Sequence, residues 1–242
     1  MKDATSELKK FIDESKYIVF FGGAGVSTES GIPDFRSENG IFSALKKYGQ
    51  PPEVLLSHSF FMKNTDLFFE YYKSSLLVTD ILPNEAHMAL ARLESHGKLK
   101  AVITQNVDGL HQKAGSQSVF ELHGSIYKNR CMNCSKSYDA EYIRKSVGVP
   151  RCSCGGIVKP CVVLYEECLP EYEFEMAAQH IEKADMLIVG GTSLAVNPAA
   201  SLVSLYCGNK LVLINKSETP YDYRADLIIN EKIGETLKRV VL

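Results

Sequence analysis

The sequence predicts an α/β protein in which a Rossmann-like, doubly wound parallel sheet carries a smaller zinc-binding and helical lobe. Short apolar runs alternate with segments of helical periodicity, and two stretches interrupt this alternation. The runs are apolar at successive positions, which indicates strands buried on both faces, as in parallel sheets. The predicted strands are YIVFF (17–21), LKAVIT (99–104), MLIVGG (186–191), KLVLIN (210–215) and DLIIN (226–230).

One helix is predicted before the first strand and three between the strands that follow. The first of them places Leu8, Phe11 and Ile12 on one face. In the last, Pro198 is expected at the first helical position and Gly208 just after the end. The predicted helices span residues 5–15, 83–97, 171–184 and 197–208.

Two insertions are expected to form the smaller lobe. Residues 36–82 are rich in aromatic side chains and have a helical pattern, and residues 124–160 contain two pairs of cysteines. The Rossmann-like, NAD-binding domain would then comprise residues 1–35, 83–123 and 161–242. A cleft between two lobes is a common place for a ligand.

Composition excludes several classes of protein. The 242 residues are 45% hydrophobic, and the formal net charge is −2, so we expect no direct binding of nucleic acid. No run of about 18 apolar residues is present, and the N-terminal segment lacks the apolar stretch of a secretory signal. A cytoplasmic protein without membrane contact is therefore expected, with its cysteines reduced or bound to metal.

A glycine-rich turn follows the first predicted strand. It reads G-G-A-G-V-S-T over residues 22–28. Glycines at this place let the backbone approach a pyrophosphate at a helix N-terminus. Thr28 stands where a dinucleotide motif has its third glycine, so the turn alone is also compatible with an ordinary strand-to-helix connection.

The paired cysteines indicate a structural zinc site. Cys131 and Cys134 form a C-x2-C pair, and Cys152 and Cys154 form a C-x-C pair that is one residue tighter than usual. Four thiolates suit tetrahedral Zn²⁺, and four protein ligands leave no open position for catalysis. The other cysteines are expected to be ordinary thiols: Cys161, Cys168 and Cys207.

Several longer motifs occur in a fixed order. They are G-A-G-V-S (23–27), S-G-I-P-D-F-R-S (30–37), T-Q-N-V-D-G-L-H (104–111), E-L-H-G (121–124), the cysteine pairs, G-T-S-L (191–194) and N-P-A-A (197–200). From about residue 17 to the C-terminus, this set resembles the sirtuin family of NAD-dependent protein deacylases, in its bacterial type. The resemblance implies NAD as co-substrate, one structural Zn²⁺ per chain and acylated lysines of proteins as substrates.

The resemblance also implies an NAD site in the cleft between the lobes. Asp108 would accept a hydrogen bond from the nicotinamide carboxamide, although the residue alone is more typical of a helix cap or a satisfied loop carboxylate. Asn106 and Asp108 are implied to be catalytic as well. Phe35 and Arg36 would close over the nicotinamide ribose, and the adenosine would meet Asn215 and Ile233. The implied NAD contacts are Ala24, Thr28, Phe35, Arg36, Gln105, Val107, Asp108, His123, Thr192, Ser193, Asn215 and Ile233.

His123 is the expected general base. An isolated histidine is often structural, as we expect for His111, but this chemistry needs a group that titrates near neutral pH. By resemblance, the acyl oxygen of the substrate attacks the anomeric carbon of the nicotinamide ribose, nicotinamide leaves, and His123 removes a proton from a ribose hydroxyl. The products are nicotinamide, O-acetyl-ADP-ribose and free lysine.

The substrate groove departs from the family pattern. Sirtuins commonly read V-V-x-F-G-E-x-L-P, whereas residues 162–170 read VVLYEECLP, so that Tyr165 replaces phenylalanine and Glu166 replaces glycine. This segment is expected to pair with the substrate peptide in the manner of a strand. We hypothesise that the charge of Glu166 favours basic flanking residues. The expected substrate contacts are Val163, Leu164, Tyr165 and Val196.

The acyl group is expected to be acetyl or another neutral group. Sirtuins that prefer acidic acyl groups carry a Tyr-x-x-Arg pair, and here Phe69 and Tyr72 stand at the approximate positions. No arginine is present there to bind a carboxylate in bidentate fashion, although Lys73 is one residue away.

Three other functions remain open. A protein mono-ADP-ribosyltransferase would use the same NAD site, and a zinc-knuckle module would bind a partner without catalysis. An NAD-dependent dehydrogenase is disfavoured because the third glycine is missing and the strand at 210–215 ends in Asn215 instead of an acidic residue.

Overall fold

The structure, a computed structural model, describes residues 4–34 and 38–242. The strands within these ranges are β1 (Ile18–Gly22), β2 (Leu99–Thr104), β3 (Val119–Glu121), β4 (Gly124–Cys131), β5 (Ser137–Tyr138), β6 (Val158–Val162), β7 (Met186–Gly190), β8 (Leu211–Ile214) and β9 (Leu227–Ile229). Six of the described strands form a parallel sheet in the order β3-β2-β1-β7-β8-β9. Counted along the chain, this is the order 3-2-1-4-5-6 of a doubly wound dinucleotide-binding sheet, and the predicted fold class is confirmed.

The described helices surround this sheet and extend into the smaller lobe. They are α1 (Ala4–Glu14), α2 (Glu38–Tyr48), α3 (Pro52–Leu55), α4 (His58–Lys63), α5 (Thr65–Ser75), α6 (Glu85–Ser95), α7 (Leu110–Lys113), α8 (Ala140–Lys145), α9 (Glu171–Lys183) and α10 (Ile233–Val241). Three of the predicted helices correspond to α1, α6 and α9, and the helical pattern of the first insertion corresponds to α2 to α5.

The fourth predicted helix, residues 197–208, is wrong in type and length. The structure has a 3₁₀ helix at Ala199–Leu205, and Pro198 precedes it instead of forming its first turn. Tyr206 already has an extended backbone, so the helix ends before Gly208. The reason is tertiary packing: the Tyr206 ring is buried, and its hydroxyl donates to the Asp185 carbonyl oxygen over 3.1 Å.

The parallel sheet is buried on both faces, which explains the continuous apolar runs. Ile18 and Phe20 in β1 belong to a core cluster with residues of α1, α6 and α10. Val19 and Phe21 belong to a second cluster with residues of α9 and the 3₁₀ helix. Burial of each such side chain contributes about 1.5–3 kcal/mol to stability. A polar residue would therefore be costly on either face of the strand.

The two insertions share one core. Phe61 and Phe68 of the helical insertion lie in the same cluster as Ile126, Ile143 and Val158 of the cysteine-rich region. The small sheet is antiparallel, in the order β5-β4-β6. This shared core supports the predicted small lobe. The exact boundaries of the two domains stay a prediction. Strand β6, Val158–Val162, runs across the boundary that was placed after residue 160.

Candidate active site

The glycine-rich turn lies where the strand order of the parallel sheet reverses, between β1 and β7. Gly25 donates its backbone N–H to the Gly191 carbonyl oxygen over 2.8 Å, and Gly23 makes the corresponding bond to Gly190 over 3.4 Å. A Cβ atom on Gly25 would lie 2.7 Å from the Gly191 Cα. The two backbones therefore approach closely only because glycine is present, at the edge where α/β sheets bind their ligands.

A cavity of about 270 Å³ opens beside this turn. Residues from both the parallel sheet and the small lobe form its wall. From the predicted sites it brings together Ala24, Gln105, Asn106, Val107, Asp108, His123, Val163, Leu164, Tyr165 and Val196. The wall also includes Ser27, which was not among the predicted site residues.

Ser27 links two polar residues of the cavity that were predicted to be catalytic, Asn106 and Asp108. Its hydroxyl donates to Asp108 Oδ2 over 2.7 Å and accepts from Asn106 Nδ2 over 3.0 Å. Asp108 Oδ1 accepts from the backbone N–H of Leu110 at the start of α7, over 2.9 Å. Asp108 thus lines the cavity and also caps a helix, so the two interpretations of this residue are compatible.

The carboxyl group of Asp108 is buried among these contacts. Burial raises its pKa above the usual range, and the hydrogen bonds from Leu110 and Ser27 act in the opposite direction. The signal for Ser27 was present in the G-A-G-V-S motif. What the sequence could not show is that its partners stand 79 and 81 residues away.

Gln105 carries a buried donor at the cavity. Its Oε1 accepts from the Thr192 hydroxyl over 3.0 Å, which fixes the orientation of the amide. Among the described residues, nothing accepts from its Nε2, although that atom is buried. A buried donor without a partner is rare in folded proteins, and here it suits a ligand that offers an oxygen acceptor.

His123 stands at the junction of the two lobes. Its Nδ1 lies 2.9 Å from the Gln105 carbonyl oxygen, which can only accept, so Nδ1 carries the proton. In the neutral ring, Nε2 is then the basic atom. The next residue, Gly124, has φ 75°, and a Cβ there would lie 2.0 Å from the Cys161 carbonyl oxygen. The backbone that presents the imidazole is therefore tightly fixed.

Four predicted NAD contacts that follow β7, β8 and β9 are not part of the cavity wall: Thr192, Ser193 and the two residues predicted to meet adenosine, Asn215 and Ile233. Ser193 is exposed just beyond β7, and Asn215 follows β8 and donates to the Ser217 carbonyl oxygen over 2.8 Å. Ile233 is buried, and its side chain packs against Gly190.

Three further predicted NAD contacts belong to the glycine-rich turn and the loop after it. Thr28 uses its hydroxyl to donate to the Gly25 carbonyl oxygen over 2.9 Å, within the turn itself. Phe35 and Arg36 lie outside the described residues.

The four paired cysteines form one cluster in which all sulfurs lie within 4.8 Å of one another. Cys131 Sγ is 3.5 Å from Cys154 Sγ, and Cys134 Sγ is 3.6 Å from Cys152 Sγ. A tetrahedral zinc with Zn–S bonds of about 2.3 Å holds its sulfurs about 3.8 Å apart. The geometry and the thiolate donor set therefore fit Zn²⁺. Tyr138 donates its hydroxyl to Cys152 Sγ over 3.0 Å and so orients one ligand.

Residues 162–170, which are expected to pair with the substrate peptide and are called the substrate loop below, are attached to the helical insertion through their backbone. Tyr165 donates its N–H to the Leu56 carbonyl oxygen over 3.0 Å and accepts at its own carbonyl from the His58 N–H over 2.9 Å. Glu166 follows with φ 75°, a left-handed conformation that costs a non-glycine residue about 1 kcal/mol. Glycine, the common family residue at this place, adopts it without that cost.

The positions of a possible acidic-acyl clamp are occupied by core residues. Phe69 and Tyr72 are buried in the aromatic cluster of α5, and neither lines the cavity. Lys73 Nζ donates to the carbonyl oxygens of Ser146 and Gly148 over 2.6 and 2.8 Å. Its ammonium group therefore fastens α5 to the loop after α8.

Comparison with known proteins agrees with this geometry. Residues 23–198 match the model of the Sir2 family. The chain is 57% identical to an NAD-dependent protein deacetylase of Clostridium acetobutylicum, over 99% of this chain and 98% of the relative. It is 56% identical to the deacetylase of the same name from Clostridium perfringens, over 100% of both.

Solved structures of similar proteins have the same fold. A complex of a Sir2 homolog with NAD superposes with a TM-score of 0.89 at 41% identity, covering 100% of this chain and 93% of that one. A complex of Sir2 with a p53 peptide and NAD⁺ gives a TM-score of 0.87 at 38% identity, covering 99% and 97%. The chain belongs to the Sir2 family, the sirtuins.

Proposed function

We propose that this chain removes acetyl or other neutral acyl groups from lysine side chains of proteins and consumes NAD. The products are nicotinamide, O-acetyl-ADP-ribose and free lysine. The observation that carries the proposal is one cavity that holds His123, Gln105 and the bonded set of Ser27, Asn106 and Asp108. Relatives that share more than half of its residues are named NAD-dependent protein deacetylases, which supports the same reaction.

The polar side chains of the cavity have different roles in the proposed reaction. When bound, NAD would supply an activated ribosyl carbon, which would bond the acyl oxygen of the substrate as nicotinamide leaves, and water would be consumed before lysine and O-acetyl-ADP-ribose are released. Asp108, oriented by Ser27, accepts from the carboxamide of nicotinamide, and the buried Nε2 of Gln105 donates to an oxygen of the cofactor. His123 takes a proton from a ribose hydroxyl at Nε2, because its Nδ1 is held by the Gln105 carbonyl oxygen.

The peptide is expected to lie between the substrate loop and the segment after β7. Val163, Leu164 and Tyr165 line one side of the cavity and Val196 lines another. An extended peptide that adds to both segments would place its acyl-lysine in the cavity between them. The zinc site supports this lobe and takes no part in the chemistry, since four thiolates fill its coordination.

Peptides with an acidic acyl group should be poor substrates. For a succinyl-lysine peptide, we expect kcat/KM to be at least about 100-fold below that of the acetyl-lysine peptide, since no arginine is among the described residues that line the cavity. Lys73 does not replace it, because its ammonium group is bound to the loop after α8. Initial rates with both peptides of one sequence check this, and values within tenfold would contradict it.

Asp108→Asn should separate stability from activity. Burial raises the pKa of Asp108 in the folded chain, so its ionisation costs stability as the pH rises through that folded-state pKa. The variant removes this cost and keeps an oxygen for the Leu110 N–H. Its amide nitrogen can only donate to the Ser27 oxygen and no longer accepts from it, which offsets part of the gain. At pH 7 its free energy of unfolding should therefore equal or exceed that of the wild type, while kcat/KM for NAD falls about 10- to 100-fold.

Urea unfolding and initial rates measure the two effects of this substitution. The stability difference should disappear below the usual carboxyl pKa, where Asp108 is protonated in both states. Asp13→Asn, at an exposed position of α1, is the matched control and should change neither quantity. A large loss of stability at pH 7 in Asp108→Asn would show that the carboxylate is primarily a structural cap.

The reaction itself is tested with an acetyl-lysine peptide whose mass is followed with and without NAD. Loss of the acetyl group only when NAD is present supports the proposal. The alternative, a protein mono-ADP-ribosyltransferase, predicts a gain of mass on a partner protein with no loss of acetyl. Formation of NADH, followed by its absorbance, would point to a dehydrogenase instead.

We also propose that the chain acts on protein substrates in the cytoplasm and does not bind nucleic acid directly. All seven cysteines are free of disulfides, as in reducing compartments, and four of them serve as metal ligands. In the part of the chain that the structure describes, we find no helix with the length and apolar character needed to cross a membrane.

A further inference from the structure

Glu166 occupies a position where its charge and its backbone geometry both require explanation. It lines the cavity in the substrate loop and has a left-handed backbone, with φ 75°. A residue other than glycine is unfavourable at such a position unless its side chain gains something there.

The carboxylate is directed at α4 of the helical insertion. Its Oε2 accepts from the backbone N–H of Ser59 over 2.8 Å, and its Oε1 accepts from the Ser59 hydroxyl over 2.9 Å. Both oxygens therefore engage one residue of the neighbouring element. A side chain that selected basic residues of a peptide would instead direct its oxygens toward the peptide.

The substrate loop is thus fixed at both ends. At one end, the Val163 N–H donates to the carbonyl oxygen of His123 over 2.9 Å, so the loop begins on the backbone of the expected base. At the other end, the backbone of Tyr165 pairs with residues 56–58, and the side chain of Glu166 bonds Ser59. The Glu166 carboxylate is one side-chain part of this second attachment, next to the peptide-binding residues, and Glu167 Oε1, 2.9 Å from His58 Nδ1, is another that Glu166 substitutions leave in place.

We propose that Glu166 is a positioning residue that ties the substrate loop to Ser59 and so holds residues 163–165 ready for the peptide. In this role Glu166 does not select the charge of the peptide. The proposal therefore replaces the hypothesis that Glu166 favours basic flanking residues. The proposal rests on the proposed deacylase function for its kinetic consequences. The attachment itself is independent of the activity.

Three substitutions separate the attachment from the charge. Glu166→Gly relieves the backbone conformation and removes the carboxylate, while Glu166→Gln removes the charge but retains one oxygen acceptor for the Ser59 N–H. Ser59→Ala removes the hydroxyl partner alone. Glu182→Gln, at an exposed position of α9, is the control for the same loss of charge elsewhere.

Hydrogen exchange of backbone amides tests the attachment without any substrate. In Glu166→Gly, the amides of Ser59 and Tyr165 should exchange about tenfold faster than in the wild type, in line with the loss of a hydrogen bond to a charged group. Glu166→Gln and Ser59→Ala should show smaller increases, and Glu182→Gln none. Unchanged exchange in Glu166→Gly would overturn the proposal, whether or not the chain is an active deacylase.

Steady-state kinetics test the positioning role. In Glu166→Gly, KM for an acetyl-lysine peptide should rise about tenfold, with kcat and the KM for NAD within about twofold of the wild type. Glu166→Gln should retain most of the affinity for peptides with basic and with acidic flanks. If Glu166→Gln instead loses discrimination between these peptides at unchanged exchange rates, the residue selects charge and the proposal is wrong. Absence of NAD consumption by the wild type would refute the proposed function, and the exchange experiment would still decide the attachment.

Discussion

His123→Ala is expected to lower kcat for NAD-dependent deacetylation by about 10³-fold while the chain stays folded. A positioned general base contributes about 10²- to 10⁴-fold, and alanine offers no group to accept the proton. The imidazole is held at Nδ1 by the Gln105 carbonyl oxygen over 2.9 Å, so its removal leaves the backbone contacts of the loop in place. Mass analysis of an acetyl-lysine peptide after incubation with NAD measures the loss.

A second histidine provides the control for this substitution. His96 is exposed after the end of α6, on the surface, and His96→Ala should leave kcat within about twofold of the wild type. The affinity of His123→Ala for NAD should fall far less than kcat, because the substitution removes the proton acceptor but only one of the implied NAD contacts. Retention of more than a tenth of the wild-type kcat in His123→Ala would exclude it as the base.

The sequence predicted those parts of the site that lie within short contiguous motifs. Asn106 and Asp108 follow directly after β2, and His123 follows β3, so a local pattern marks each of them. Ser27 was overlooked because its role depends on bonds to side chains about 80 residues away. The direction of the Glu166 carboxylate was equally hidden, because it depends on where the helical insertion packs.

Both β3 and α10 were absent from the predicted elements, and only β3 lacks a local signal. β3 has three residues and lies at the edge of the sheet, with only Glu121 buried, so it has no apolar run. α10 was also missed, although its buried residues Ile233, Thr236 and Leu237 have helical spacing that could have revealed it. The five predicted strands were found because each is apolar at nearly every position.

Loss of one zinc ligand should unfold the small lobe. Cys131 and Cys152 are buried members of the same core cluster as Phe61 and Phe68, so the metal site and the shared core form one unit. In Cys152→Ser, we expect zinc content well below one ion per chain and a fall in Tm of about 10 °C or more. Elemental analysis and thermal unfolding measure both. Cys207→Ser, an exposed thiol outside the cluster, is the control and should change neither.

The same experiment distinguishes a structural from a catalytic metal. β4 runs from Gly124, next to His123, to the ligand Cys131, so unfolding of the lobe must disturb the base. Activity lost on chelation should therefore follow the loss of helical signal and recover with it when Zn²⁺ is restored. A catalytic metal would lower kcat before any change in the circular dichroism spectrum. That outcome would contradict the assignment of the zinc as structural, and so would a Cys152→Ser variant that lacks zinc but is fully stable. The assignment depends on four thiolates that leave no coordination position for a substrate.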